Sequence, residues 1–290
     1  MSEDRSEAKE VNFTIDGKPV CAEPGETVLT VAKKHGISIP ALCHHEAVTA
    51  YGACRLCVVE VFWGKRSKLV TSCIYTPYEN DRVETNTDRV RRTRGMVLEL
   101  LSARCPGVKQ IRDLAREYGV DNPRFDTDDA AKRERCILCG LCVRVCDEVV
   151  GQHAISYASR GMERVITTPF GAQAEECIGC GACVYICPTG ALHYEDIGGQ
   201  RIMKELNTTL PLLPCRVCGR GFATEKQVAR VKARLKLPEE LAETCPRCRA
   251  SEFRDELGET LGKNGKRRIH APADGVLVMA SRSLNDEELT

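Results

Sequence analysis

The segment from Cys136 to Cys187 carries two copies of one cysteine pattern, and this repeat constrains the fold more than any other part of the chain. Each copy has the spacing C-x2-C-x2-C-x3-C. This spacing is typical of [4Fe–4S] clusters, because two residues between thiolates let three sulfurs surround one face of a cube, while the fourth cysteine binds the cluster of the other run. The predicted ligand sets are Cys136, Cys139, Cys142 and Cys187 for the first cluster, and Cys177, Cys180, Cys183 and Cys146 for the second.

Two other uses of these cysteines are less consistent with the pattern. Structural zinc takes four ligands per site, usually as two separated pairs, and these runs are not arranged in that way. The chain has eighteen cysteines, so a disulfide scaffold is the second alternative. The grouping into C-x2-C units favours metal over disulfides.

Charge and hydropathy give no indication of a membrane or nucleic-acid partner. The 42 basic and 41 acidic residues nearly cancel, so there is no strong overall field. The charged first ten residues contain no apolar signal-peptide core, and no stretch is apolar for long enough to span a bilayer. We therefore expect a cytoplasmic protein, in a compartment where thiols stay reduced.

Residues 10–87 predict a β-grasp domain that holds a [2Fe–2S] cluster. A hairpin over residues 11–23 turns at Asp16-Gly17, and a short helix follows before Gly36. Four cysteines with a central C-x2-C pair suit two sulfurs on each of two irons, and these ligands are Cys43, Cys54, Cys57 and Cys73. His44 and His45 raise the alternative of a Rieske-type centre, but the four cysteines make the histidines surplus.

The spacing of this first cysteine group also carries a resemblance to known families. The segments Tyr51–Cys57 and Cys146–Gly151 resemble the N-terminal ferredoxin region of the large iron–sulfur subunit of respiratory complex I. They are equally similar to the small diaphorase subunit of NAD-reducing nickel–iron hydrogenases and to related formate dehydrogenase subunits. The resemblance covers roughly residues 10–200. It implies a chain of iron–sulfur clusters beside a flavin-bearing subunit.

Residues 88–125 depart from that resemblance. The resembling families carry a site with one histidine and three cysteines in this helical segment. Here Cys105 is the sole cysteine between Cys73 and Cys136, and no histidine precedes it in the segment. We therefore expect a helical linker without this cluster, and an ordinary thiol at Cys105.

Residues 205–261 predict a further metal site of a different kind. Two C-x2-C pairs, separated by 26 residues that include a predicted helix at 225–235, supply Cys215, Cys218, Cys245 and Cys248. Separated pairs are typical of a zinc ribbon, and an additional iron–sulfur cluster is the alternative. Residues 262–290 then form a charged extension. With a two-cluster [4Fe–4S] ferredoxin domain at 126–204, the fold class is α+β, and Cys21 and Cys105 remain without a metal.

No catalytic pattern accompanies these metal sites. Neither a dinucleotide-binding glycine motif nor a phosphate-binding loop is present. We therefore expect a non-catalytic electron-transfer subunit. The resemblance implies that it relays single electrons between a flavin NAD(P)H dehydrogenase subunit and a hydrogenase, formate dehydrogenase or electron-bifurcating partner. A redox sensor that binds nucleic acid through the zinc ribbon is the alternative, although the net charge of +1 gives it little support. A stand-alone enzyme would need a substrate site that the sequence does not indicate.

Overall fold

The computed structural model describes residues 10–125 and 135–262 of the chain. The expectations for the charged N-terminal residues before 10, for the start of the two-cluster ferredoxin domain at 126–134 and for the extension from 263 onward lie outside the described residues. Among the described helices, none combines the length and the apolar character that crossing a bilayer requires.

Within residues 10–87, five strands form a mixed sheet in the order β2-β1-β5-β3-β4. Their bounds are β1 Val11–Ile15, β2 Lys18–Ala22, β3 Val58–Trp63, β4 Arg66–Thr71 and β5 Arg82–Glu84. Asp16 and Gly17 both have positive φ between paired Ile15 and Lys18, which is the backbone geometry of the expected two-residue turn. Helix α1 (Val28–Lys34) shares its apolar face with the core of this sheet, and Thr27 caps its N-terminus.

The linker forms two helices. The apolar positions of the sequence predict a helix over residues 94–101. Helix α2 is longer and runs over Asp88–Arg104, because Thr87 caps it at a point where the sequence is still strongly charged. Helix α3 covers Lys109–Glu117 and is followed by Gly119 at positive φ.

The two cysteine runs adopt the same local structure. In each run a glycine with positive φ, Gly140 or Gly181, precedes a four-residue helix. These helices are α4 (Leu141–Arg144) and α5 (Ala182–Tyr185). A π-helical turn at Val145–Val150 extends α4 and carries Cys146. Between the runs, β6 (Ser156–Ala158) pairs with β7 (Val165–Thr167).

A second sheet joins the cluster-binding region to the C-terminal cysteines. Its order is β11-β10-β9-β8, with β8 Glu195–Ile197, β9 Gln200–Met203, β10 Thr208–Pro214 and β11 Gly221–Thr224. Strands β9 and β10 pair across residues 204–205, where the sequence suggested a domain boundary. Helices α6 (Glu225–Leu235), α7 (Glu239–Ala242) and α8 (Pro246–Gly262) complete the described chain.

A common apolar core connects these regions. The loop over residues 43–57, called the first cysteine loop, contributes Leu56 to one cluster of buried side chains. Leu98 of α2 and Leu141 of α4 belong to the same cluster, and all three are 2% exposed or less. The same cluster extends to Met203 on β9. Because protein cores are close-packed, this shared interior fixes the first cysteine loop relative to the two cysteine runs.

Candidate metal centres

The structure brings Cys43, Cys54, Cys57 and Cys73 together in the loops beside α1 and β3. Each is 5% exposed or less. The sulfur of Cys43 is within hydrogen-bonding reach of Cys54 and Cys73, and the sulfur of Cys57 is within reach of Cys73. The backbone N–H of Cys54 also donates to Sγ of Cys43 over 3.3 Å. The four sulfurs therefore fall into two adjacent pairs, as two irons with two thiolates each require.

Hydrogen bonds among these sulfurs lower the pKa values of two of the cysteines and raise those of the other two. The bond from Cys54 lowers the pKa of Cys43 to about 2, and the bond from Cys73 lowers the pKa of Cys57 to about 6. The same bonds raise the pKa values of Cys54 and Cys73. Two of the four cysteines therefore favour the thiolate, which is the form that binds a metal.

The two neighbouring histidines are differently placed. Burial lowers the pKa of His44 and so favours its neutral form, while Nδ1 of His45 accepts a hydrogen bond from the backbone N–H of Ala47 over 3.1 Å. His45 therefore has a local structural role next to four cysteines that already form a complete set.

The first cysteine run gathers with the last cysteine of the second run. Burial raises the pKa values of Cys136, Cys139 and Cys142, reaching about 11 for Cys139 and about 12 for Cys142. The charge of the nearby Cys187 raises all three pKa values further. The N–H of Ala191 donates to Sγ of Cys187 over 3.2 Å.

The second run gathers with Cys146 in the same way. Burial raises the pKa of Cys146, and the nearby Cys180 and Cys177 raise it further. Burial also raises the pKa of Cys183. A cavity of about 30 Å³ is lined by Cys146, Cys177, Cys180 and Cys183. Because of their burial, these thiols do not ionise readily without a metal. They fit a site where the charge of a metal and backbone N–H donors stabilise the thiolates.

Gly140 and Gly179 are among the positions in these runs where glycine is required for steric reasons. Gly140 has a φ of +72°, and the hydroxyl of Tyr157 occupies the place that a Cβ would take. Gly179 has a φ of +63°, and its Cβ would lie 2.8 Å from Cγ2 of Thr224 and 2.9 Å from Cδ1 of Leu210. Any side chain would therefore strain the backbone and displace the residues that cover the cluster loop.

The C-terminal cysteines form a more compact group. The sulfurs of Cys215, Cys218, Cys245 and Cys248 lie within 4.8 Å of one another, and Cys218 and Cys245 are 3.9 Å apart. In a tetrahedral site with metal–sulfur bonds of about 2.3 Å, the sulfurs are about 3.8 Å apart. The N–H of Cys245 donates to Sγ of Cys215 over 3.2 Å and lowers the pKa of that thiol to about 6. The donor set fits a single metal ion.

Strands β9 and β11 of the second sheet contact the second cysteine run. The Thr224 hydroxyl donates to the carbonyl oxygen of Ile178. Arg201 is 6% exposed and donates from Nη1 to the carbonyl oxygen of Gly179 over 2.8 Å, while its other nitrogens pair with Asp196. Sequence reasoning missed Arg201 and Thr224, because no local motif indicates which strand residues reach the cluster loop.

A second group of contacts joins the first cysteine loop to the π-helical turn. The carboxylate of Glu148 accepts hydrogen bonds from the backbone N–H and the hydroxyl of Thr49, each at 2.6 Å. These bonds lower the pKa of Glu148. Glu148 lies in the segment that carried the resemblance, so its position in the sequence was singled out while its contact was not.

The two remaining cysteines belong to none of the predicted ligand sets. Cys21 is exposed on β2 and lies 3.5 Å from a carboxylate oxygen of Glu10. Cys105 is fully buried at the end of α2, and burial raises its pKa to about 12. Its side chain is thus a neutral thiol in the shared core.

Comparison with known families identifies both iron–sulfur regions. Residues 8–88 match the 2Fe-2S iron-sulfur cluster binding domain, and residues 135–191 match the 4Fe-4S dicluster domain. The chain therefore has a [2Fe–2S] domain and a [4Fe–4S] dicluster domain, as the sequence predicted. Neither match extends to the C-terminal cysteines. The evidence for a metal site there is the close grouping of the four sulfurs.

Relatives of known identity come from two kinds of complex. The chain is 34% identical over 179 residues to the NADH-ubiquinone oxidoreductase 75 kDa subunit of Reclinomonas americana, a match that covers 54% of this chain and 26% of that protein. It is 33% identical over 183 residues to the mitochondrial NADH-ubiquinone oxidoreductase 78 kDa subunit of Neurospora crassa, which covers 55% and 24%. A chain in the crystal structure of an NAD+-reducing [NiFe]-hydrogenase in the H2-reduced state is similar with a TM-score of 0.54 and 29% identity. That match covers 70% of this chain and 91% of the hydrogenase chain.

These matches confirm the resemblance inferred from the cysteine spacing. The chain spans about a quarter of the length of the curated relatives that it matches. The matched hydrogenase chain, in contrast, is covered almost completely.

Proposed function

We propose that this chain is an electron-transfer subunit that relays single electrons within a larger oxidoreductase. The observation that carries the proposal is the placement of the first cysteine loop and the two cysteine runs around a common buried core. Clusters held there would accept and release one electron at a time without a change in bonding partners. The similarity to subunits of NADH dehydrogenases and of an NAD+-reducing hydrogenase supports such a role.

The ligand sets proposed for this relay follow the sulfur groups described above. One [2Fe–2S] cluster would be held by Cys43, Cys54, Cys57 and Cys73. Two [4Fe–4S] clusters would be held by the crossed sets, Cys136, Cys139, Cys142 and Cys187, and Cys177, Cys180, Cys183 and Cys146.

The neighbours proposed for this subunit are a flavin-bearing NAD(P)H dehydrogenase subunit and a second catalytic subunit, such as a hydrogenase, a formate dehydrogenase or an electron-bifurcating partner. We expect the complex to reside in the cytoplasm, because the relay depends on many thiols that must reach their metals in reduced form.

We further propose that the C-terminal cysteines bind zinc in a ribbon-like module. The compact set of sulfurs supports this, because the irons and sulfides of a cubane must fit between its thiolates and so hold them farther apart than one ion does. Such an ion would have a structural role, since it would tie together the segments that lie against the second cysteine run.

The test is an anaerobic affinity purification of the tagged full chain from its own host, followed by mass spectrometry, flavin absorbance and electron paramagnetic resonance (EPR). We expect a flavoprotein to co-purify, and NADH or NADPH to reduce the clusters in the complex but not in the isolated chain. Cys57→Ala should lose the [2Fe–2S] signal and block this reduction, whereas Cys21→Ala should leave both intact because Cys21 is outside every ligand set. A colourless wild-type chain, or NADH oxidation by the isolated chain alone, would contradict the proposal.

A further inference from the structure

Arg144 lies between the first cysteine loop and the first cysteine run. It is the last residue of α4 and follows Cys142 by two positions. Its Nη2 donates to the carbonyl oxygen of Cys43 over 3.2 Å and to the carbonyl oxygen of Cys139 over 3.4 Å. Its Nη1 donates to the carbonyl oxygen of Thr49. A single guanidinium therefore links the backbones of two cysteines that belong to different proposed clusters.

This arrangement creates a short connection from one sulfur to the other. From Sγ of Cys43 it follows the residue's own bonds to its carbonyl group, crosses the hydrogen bond to Nη2 of Arg144, and crosses a second hydrogen bond to the carbonyl group of Cys139. The connection then follows the bonds of Cys139 to its Sγ. Electron tunnelling is more efficient through bonds and hydrogen bonds than through gaps between unconnected atoms, so this link favours transfer between the two sites.

The contacts suit arginine better than lysine. A planar guanidinium presents donors in a fixed fork, whereas the ammonium of lysine is a compact point charge on a flexible stem. The side chain also lies over the ring of Tyr51, with its guanidinium carbon 5.6 Å from the ring centroid. Thr49, the third carbonyl partner, also donates two hydrogen bonds to the carboxylate of Glu148.

We propose that Arg144 is a positioning residue for electron transfer between the [2Fe–2S] cluster and the first [4Fe–4S] cluster, an inference that rests on the proposed relay function. In each transfer one cluster loses one electron and the other gains it, and no proton or ligand moves. Arg144 would act on this step in two ways. Its hydrogen bonds would shorten the connection, and its positive charge would stabilise the reduced form of both clusters.

Arg104 provides a matched control. Its Nε donates to the carbonyl oxygen of Cys136 over 3.0 Å, so it is a second arginine beside the first [4Fe–4S] set. Among the hydrogen bonds of the described residues, it has none to a residue of the first cysteine loop. Replacing Arg104 should therefore affect one cluster, whereas replacing Arg144 should affect two.

The experiment compares Arg144→Gln, Arg144→Lys and Arg104→Gln in the anaerobically purified full chain. EPR-monitored redox titration gives the cluster potentials, and flash photoreduction followed by rapid freezing gives the rate at which an electron equilibrates between the clusters. For Arg144→Gln we expect the equilibrium constant for reduction of each of the two clusters to fall about tenfold, which lowers its potential by about 59 mV for one electron. We also expect the electron to equilibrate more slowly between the two clusters. Arg144→Lys should keep the potentials near those of the wild type but slow equilibration, because the charge remains and the fork is lost. Arg104→Gln should shift one [4Fe–4S] cluster alone.

Three outcomes would overturn the inference. Equilibration at the wild-type rate in both Arg144 variants would remove the link from the transfer step. Equal effects of Arg144→Gln and Arg104→Gln on the [2Fe–2S] cluster would show that contact with Cys43 is not the cause. Loss of iron from Arg144→Lys as well as from Arg144→Gln would assign the residue to cluster assembly instead. A wild-type chain without clusters would, in contrast, contradict the relay function itself.

Discussion

Arg201 on β9 donates a hydrogen bond from Nη1 to the carbonyl oxygen of Gly179 over 2.8 Å, and so connects the second sheet to the loop of the second cysteine run. The guanidinium also pairs with Asp196 at 2.7 Å and lies 4.1 Å from the ring centroid of Tyr194. A buried positive charge is thereby fixed next to the proposed second [4Fe–4S] cluster.

Replacing Arg201 should change this cluster selectively. Arg201→Gln should lower the potential of the second [4Fe–4S] cluster, because a nearby cation stabilises the reduced form. It should also reduce the free energy of unfolding by about 2 kcal/mol, a typical loss for hydrogen bonds to a charged group. EPR redox titration and thermal unfolding measure the two effects. A shift in all three clusters, or in none, would contradict the assignment of Arg201 to this site.

Gly179→Ala should destabilise the protein more than Gly198→Ala. Both glycines have positive φ, +63° and +59°, but the added methyl group meets Thr224 and Leu210 at position 179 and open space at position 198. Backbone strain alone should cost about 1 kcal/mol at either position. The clash should add about 1–3 kcal/mol at position 179. Thermal unfolding compares the two variants. Equal midpoints would mean that Thr224 and Leu210 can move away from the added methyl group without a loss of stability.

Leu98→Ala should loosen the core that the proposed cluster sites share. Leu98 is fully buried on α2, and truncation of such a side chain typically costs about 2–5 kcal/mol. Leu100 on the same helix is 51% exposed, so Leu100→Ala should change stability by less than about 0.5 kcal/mol. Apparent unfolding midpoints measured at one heating rate provide the comparison. If the two variants unfold alike, the shared core does not determine the stability of this region.

The metal content should distinguish zinc from iron at the C-terminal cysteines. The proposed sites predict about ten irons per chain, from one two-iron and two four-iron clusters, and about one zinc. Cys215→Ser should remove the zinc and leave the iron count unchanged. Elemental analysis of anaerobically purified protein measures both, and about fourteen irons without zinc would identify a further cluster instead.

Acid should weaken the contact between Thr49 and Glu148. The hydrogen bonds from Thr49 lower the pKa of Glu148, so the folded protein favours the carboxylate. The resulting stabilisation is complete above the ordinary pKa of a carboxyl group and is lost as the pH falls through the lowered value. Amide hydrogen exchange at Thr49, corrected for its intrinsic pH dependence, should show less protection at the lower pH. Protection that does not change, or that also changes in Glu148→Gln, would exclude this carboxylate as the cause.

Much of the fold could be predicted, because its signals are local in the sequence. The turn at Asp16-Gly17 and the helix at residues 225–235 depend on short patterns, and the structure has both. The contacts of Arg144 and Arg201 could not be predicted in this way. Each depends on which distant carbonyl group the folded chain places beside a charged side chain, and no spacing rule encodes that.

The extent of α2 and the continuity of the second sheet were missed for different reasons. Helix α2 begins six residues earlier than its apolar positions indicated, because a cap at Thr87 sets the start where the sequence is charged. The pairing of β9 with β10 across residues 204–205 was missed because cysteine grouping, rather than strand pairing, guided the division into domains. Metal motifs indicate which residues share a ligand, and they do not indicate where a sheet ends.

The pairing of β9 with β10 limits how this protein can be shortened. A version cut after residue 204, intended to keep only the three proposed iron–sulfur sites, would leave the edge of β9 that pairs with β10 without its partners, while the pairing with β8 would remain. An unpaired strand edge can pair with a strand of another chain, so such a fragment should self-associate instead of remaining a monomer that transfers electrons. A shortened protein that stays monomeric would have to retain at least β10, or have another strand paired with β9 in its place.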